Sequence, residues 1–230
     1  MDDSTKEIVI QQLRAITNQK FNAIRKLSIS DIDFNPFLLM SLGLNTPREI
    51  AEFVVRQRLE RSLVTSFGQR IQNVAMAITE RGTGVEGADI CKEKNGIRYY
   101  IQMKTGPKTV NKDIMEQIST LLVSAARRNR GSVPLLGMTY GNSEMVSSIV
   151  RKYSQVDWII GREFWSFISE DEGSAKEIFN LIRELDTEGD DTDIAFSEYL
   201  DQKISELSEQ IIDKYGDGED MWEQLFEDNM

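Results

Sequence analysis

The chain has 230 residues, one cysteine, no histidine and a net charge of −11, which excludes Ser-His-Asp and Cys-His nucleophiles, zinc centres built on imidazole and any internal disulfide. The length suits one domain with an appendage and buries a substantial core. No run of eighteen apolar residues occurs and Met1-Asp2-Asp3-Ser4 lacks the stages of a signal peptide, so a soluble protein of the reducing cytoplasm with no membrane partner is expected.

Residues 5–26 set Ile8, Leu13, Ile16 and Ile24 among charges, the spacing of an amphipathic helix. Asn35 to Leu44 reads as a short apolar helix. Thr46 then caps another, with Pro47 at its first position, Glu49 at its third and Ile50, Phe53 and Val54 along one face. The stretch to Glu80 is long for one straight element without a break, and Ser66-Phe67-Gly68 is expected to mark a kink or junction. Arg56, Arg58, Arg61 and Arg70 lie along this region, either tracking a phosphate backbone or covering a solvated helix. Arg81 to Gly87 reads as a flexible, glycine-rich entry to a pair of strands.

Asn95-Gly96 between two short alternating runs is a strong hairpin signal, because both central residues of a type I′ turn need positive φ. A two-residue loop pairs Lys94 with Ile97, Glu93 with Arg98, Cys91 with Tyr100 and Asp89 with Gln102, directly opposed Cβ atoms lying about 5 Å apart. The period of two puts Arg98, Tyr100, Gln102 and Lys104 on one face and Ile97, Tyr99, Ile101 and Met103 on the other. Asp89, Gln102 and Lys104 therefore converge. A carboxylate, an amide oxygen and the Met103 carbonyl are the ligands a hard cation such as Mg²⁺ takes. The Lys104 ammonium beside them suits a phosphorane-like transition state and an attacking water.

Gly106-Pro107 ends the second strand. Thr109 or Asn111 caps a helix to about Arg128, with Ile114, Ile118, Leu121, Leu122 and Ala125 inward. Lys108 and Lys112 stand at its beginning, where free N–H groups favour anions. Val133 to Tyr140 reads as a buried strand with Tyr140-Gly141-Asn142-Ser143 as its exit turn. Val156 to Ile160 is another strand, and Arg162 to Ile168 a helix whose Phe164, Trp165 and Phe167 belong to the core. Ser174 to Leu185 continues as helix, Asp186 to Asp193 as an acidic linker, Ile194 to Tyr215 as an amphipathic helix and Gly216 to Met230 as a frayed end. This order predicts an α/β fold with a mixed central sheet flanked by helices, the hairpin antiparallel and the later strands parallel or mixed.

Residues 1–162 hold 23 Lys and Arg against 16 Asp and Glu, a balance of +7, whereas residues 163–230 hold 4 against 22, a balance of −18. A basic body with an acidic extension suits a nucleic-acid partner, and a solvated helical face is the alternative for the tail. The expected division is a domain over 1–186 and an acidic helical extension over 187–230.

The order Asp89, hairpin, Gln102-Met103-Lys104 resembles the PD-(D/E)xK nucleases, with Gly87-Ala88-Asp89 where Pro-Asp stands and Gln102 in place of the second acid. Four segments narrow the resemblance to type II restriction endonucleases: Asn35-Pro36-Phe37-Leu38-Leu39, Thr65-Ser66-Phe67-Gly68, Tyr100 through Lys112, and Gly161-Arg162-Glu163-Phe164-Trp165. The resemblance implies a restriction-endonuclease-like fold and Mg²⁺-dependent hydrolysis of double-stranded DNA at a short specific sequence, leaving 5′-phosphates. Asp89, Gln102 and Met103 would hold metal and Lys104 would handle water. It implies a further helical ligand four residues after a glycine, a place taken by Gln72 after Gly68, with Glu86 as the nearest substitute carboxylate. Palindromic sites cut on both strands imply a homodimer. Arg127, Arg128, Arg130, Tyr140 and Asn142 are candidate base readers by charge and loop position, and Lys108 and Lys112 candidate phosphate contacts. A same-fold repair or recombination nuclease and a non-catalytic DNA-binding protein are the alternatives.

Overall fold

The computed structural model describes residues 2–79, 86–187 and 194–230. Residues 81–85 of the expected flexible entry and 188–193 of the acidic linker lie outside the described residues. The chain forms two compact units, one of Met1–Ala15 with Phe67–Thr187, the other of Ile16–Ser66 with Glu188–Met230. The segment after Thr187 thus shares its unit with Ile16–Ser66.

The first unit carries a four-stranded sheet in the order β1 (Ile90–Lys94), β2 (Ile97–Lys104), β3 (Ser132–Met138) and β4 (Asp157–Ile160). Strands β1 and β2 are antiparallel, and β2, β3 and β4 run parallel. The hairpin register is the expected one, with Lys94 opposite Ile97, Glu93 opposite Arg98 and Cys91 opposite Tyr100. Asn95 at φ 52° and Gly96 at φ 75° give the turn its left-handed residues. Helix α4 (Lys112–Arg128) carries the chain from β2 back to β3, as a parallel crossover requires.

Both faces of β2 are covered, because adjacent strand residues point to opposite sides. Tyr100 packs with Leu136, Met138 and the α4 residues Met115 and Leu122. The Tyr99 ring meets Phe167 of α6 (Arg162–Ser169) edge-on, centroids 4.9 Å apart. Helix α4 differs from expectation in its first turn: Met115 is buried and Ile114 exposed. The inward stripe is Met115, Ile118, Leu122 and Ala125, a helical period that leaves Ile114 at the edge of the stripe, about 100° round the helix from Met115.

In the second unit, Leu39 of α2 (Pro36–Ser41) and Ile50 and Val55 of α3 (Pro47–Ile78) share a core with Leu207 and Ile211 of α8 (Phe196–Tyr215). Met221 and Leu225 of α9 (Gly218–Asn229) belong to it too. Thr46 and Glu49 cap α3 reciprocally: Glu49 N donates to Thr46 Oγ1 at 3.2 Å and Thr46 N to Glu49 Oε2 at 3.0 Å.

Two further expectations are corrected. Helix α3 runs unbroken through Ser66-Phe67-Gly68, because one interior glycine costs only about 1 kcal/mol and the Arg, Leu, Gln and Ala around it are good helix formers, while the junction expected there coincides with the boundary between the two units at Ser66 and Phe67. The end beyond Gly216 is helical, anchored by the buried pair Met221 and Leu225 at i and i+4. Among the described residues no helix is long and apolar enough to cross a membrane.

Candidate active site

The hairpin brings Asp89 to the side of β2. Asp89 N donates to the Ile101 carbonyl at 2.8 Å, extending the ladder one residue beyond β1. Its carboxylate then meets the end of β2: Oδ2 accepts from Met103 N at 2.6 Å and from Gln102 Nε2 at 2.5 Å. Helix α3 completes the cluster, Gln72 Nε2 donating to Asp89 Oδ1 at 2.8 Å. The structure thus brings the side chains of Gln72 and Gln102 onto Asp89.

The half-buried position of Asp89 pushes its carboxyl above the ordinary carboxylate range, because burial penalises the charged form. The Met103 N–H, the positive charge of Lys104 and the Gln72 amide oppose that shift without cancelling it. Lys104 is half-buried at the end of β2, and its ammonium is close enough to act electrostatically on Asp89.

The Met103 carbonyl is placed by strand geometry. A strand residue's N–H and C=O point to the same side, and Met103 N–H points to Asp89. Beyond it the chain turns toward β3, where Thr139 N lies 3.2 Å from both the Lys104 and Thr105 carbonyls. Glu86 is exposed in the turn before Asp89, and no hydrogen bond joins it to the cluster among the described residues. Among those residues no three Asp, Glu or Cys side chains come together as a metal site would. The oxygens available beside Asp89 are two amides and a backbone carbonyl. They fit a hard cation in kind, with a single negative charge.

The other candidates fall into two groups. Lys108, Tyr140 and Asn142 are exposed in the connections that leave the C-terminal ends of β2 and β3, the end that carries Lys104. The Tyr140 ring lies directly on Gly106: a Cβ there would sit 2.4 Å from its Cζ, so only glycine admits this approach. Asn142 Oδ1 accepts from Glu144 N at 3.0 Å and Met145 N at 3.2 Å. That oxygen is committed to its own turn, which leaves the amide N–H pair as the group Asn142 can offer. Lys112 opens α4, 3.8 Å from Glu116 and over the Tyr153 ring.

Arg127 and Arg128 end α4, and Arg130 precedes β3 beside Glu93 and Arg98. The structure does not bring them to Lys104. The return helix carries the chain to the opposite end of the sheet, where Ser132 pairs with Arg98, while Met138 pairs with Lys104. The two pairs lie six residue steps apart along the strand, about 20 Å.

Sequence reasoning missed the framework that steadies the β2 and β3 ends. Thr139 Oγ1 donates to the Thr105 carbonyl at 2.7 Å, and Trp165 Nε1 donates to the Thr139 carbonyl at 2.8 Å. Trp165 is buried, and a buried indole needs a partner for its N–H. That was the available signal.

Residues 3–191 match the family model described as type II restriction endonuclease EcoO109I. The matched span takes in Gln72, Asp89, Gln102 and Lys104. No curated protein matches the chain significantly.

Proposed function

The chain belongs to the family of the type II restriction endonuclease EcoO109I and is thereby a nuclease of the restriction class, and we propose that it hydrolyses double-stranded DNA at a short specific sequence with Mg²⁺. The observation that supports this most is Asp89 held against Gln102 and the Met103 N–H, within electrostatic reach of Lys104, in a chain of that family. The set reads as a D…QxK variant of the PD-(D/E)xK pattern.

Catalysis is assigned to residues 1–186 as the nuclease part, the sheet within it carrying the site, with 187–230 as an acidic helical extension. Asp89, Gln102 through its amide oxygen and the Met103 carbonyl would hold the cation, with Gln72 or Glu86 as further ligand. When bound, a divalent cation supplies positive charge against the phosphoryl oxygens. Lys104 donates to and orients the attacking water and offsets the charge that develops at phosphorus. Water forms the new P–O bond and gives its proton to solvent, the bond from phosphorus to the 3′ oxygen breaks, and that oxygen takes a proton from solvent. The products are a 5′-phosphate and a 3′-hydroxyl.

Lys108, Lys112 and Tyr140 would contact DNA near the scissile phosphate. Arg127, Arg128 and Arg130 would contact it about 20 Å away, a distance of roughly six base pairs along B-DNA at 3.4 Å each. Cutting both strands of a palindrome calls for a two-fold dimer, and a lone cysteine suits the cytoplasm. Digestion of mapped plasmid DNA with and without Mg²⁺ tests the reading. Discrete, reproducible fragments support it. A smear or end-dependent loss favours a repair or recombination nuclease of the same fold, and DNA left intact in both Mg²⁺ and Mn²⁺ favours a non-catalytic DNA-binding protein.

A further inference from the structure

Three N–H donors converge on Asp89: Gln72 Nε2 at 2.8 Å, Gln102 Nε2 at 2.5 Å and Met103 N at 2.6 Å. An ionised carboxylate offers about four acceptor sites, so most of its capacity is spent on nitrogen donors. A hard cation takes oxygen ligands only. With both amide nitrogens turned to the carboxylate, each glutamine must rotate its amide and give up that hydrogen bond before its oxygen faces a cation beside Asp89.

The charge count points the same way. Asp89 is the acid on which the cluster's donors converge, and among the described residues no three Asp, Glu or Cys side chains gather as a metal site would. Mg²⁺ is commonly bound by one or two carboxylates together with substrate phosphates, so here the phosphate supplies the remaining negative charge.

Resting on the reading of the site as a DNA phosphodiesterase centre, we infer that Gln72 and Gln102 form an amide clamp that keeps Asp89 closed in the free protein, so that the site retains a divalent cation only when a DNA phosphate lies beside it. Gln72 is a positioning residue: it acts on Asp89 from α3. Linkage makes the effect reciprocal, so the factor by which DNA tightens the cation is the factor by which the cation tightens DNA.

The test is calorimetric titration of Ca²⁺ into the full chain, free and bound to a duplex that the protein cuts in Mg²⁺. The wild type binds Ca²⁺ at least tenfold more weakly when free. Gln102→Glu replaces a clamp donor by a carboxylate. It tightens Ca²⁺ binding by the free protein at least tenfold and narrows the gap between free and bound forms. Its unfolding midpoint, lowered without Ca²⁺ by the two adjacent carboxylates, recovers when Ca²⁺ is added.

Equal affinity in the free and DNA-bound wild type overturns the clamp. So does a folded Gln102→Glu protein whose Ca²⁺ affinity is unchanged. Should that variant fail to fold, Gln72→Glu is held to the same expectation. A wild type that binds Ca²⁺ and duplex without coupling refutes the clamp alone, whereas one that binds neither refutes the phosphodiesterase reading as well.

Discussion

Asp89→Asn stabilises the metal-free protein at neutral pH. The carboxylate is half-buried and its folded-state value is raised above the ordinary 3.8, with burial as the largest cause. Its charged form is therefore less favourable in the folded chain than in the unfolded one. The direction of the pH effect is set by linkage. Below the unfolded value both states are protonated and there is no penalty, and as pH rises through the raised folded value stability is lost. Asparagine keeps the shape and never ionises. Its Oδ1 accepts from Met103 N, and Gln72 and Gln102 meet its amide once one of them turns an oxygen inward, so the three contacts at 2.5 to 2.8 Å survive.

What remains is the cost of a partly buried charge, already reduced by Lys104. The expected gain is on the order of 1 kcal/mol at pH 7, a rise of about 2–4 °C in unfolding midpoint for a chain of this size. Thermal melts in EDTA from pH 7.5 down to pH 4 check it. The difference between Asp89→Asn and wild type should shrink steadily as pH falls toward the unfolded value. A variant less stable than wild type at pH 7, with the deficit growing as pH rises, would refute the reasoning by showing the ionised carboxylate to be the favoured form.

Three further outcomes are expected. Gly68→Ala raises stability by about 1 kcal/mol, because the added Cβ makes only an ordinary 3.5 Å contact with Thr105 Oγ1, and a melt reads it directly. Leu225→Ala lowers stability by about 2–5 kcal/mol, since Leu225 is fully buried in the helical core. A chemical denaturation midpoint close to wild type would show that α9 carries little of the fold. Gly106→Ala displaces the Tyr140 ring and weakens or relaxes DNA recognition, checked by binding to cognate and single-substituted duplexes with the melt unchanged.

The hairpin was fully legible because its constraint is local. Asn95-Gly96 allows one turn type, the turn allows one register, and the register carries Asp89 to Gln102. Strands β3 and β4 and the Phe164 and Trp165 core were legible in short apolar runs. Gln72 was reachable only through the spacing from Gly68 that the family resemblance supplied, since nothing in a helical glutamine marks it as the partner of an aspartate seventeen residues later. The continuity of α3 was missed because the local cost of Gly68 is small beside packing along both halves of the helix. The first turn of α4 was misjudged because Ile114 and Met115 are neighbours of similar hydrophobicity, and only the facing sheet decides between them. The arginines after α4 were placed by charge alone, which carries no direction, and a crossover helix reverses it.

The central claim is that Asp89 and Lys104 work together on a DNA phosphodiester. Single-turnover cleavage of a mapped duplex in Mg²⁺, measured for wild type and Lys104→Ala alongside duplex affinity in Ca²⁺, tests it most directly. The account predicts a loss of roughly 10²–10³ or more in the cleavage rate constant, the scale of removing a charge-stabilising donor, with duplex affinity within a few-fold of wild type. Cleavage by folded Lys104→Ala at nearly the wild-type rate would contradict it.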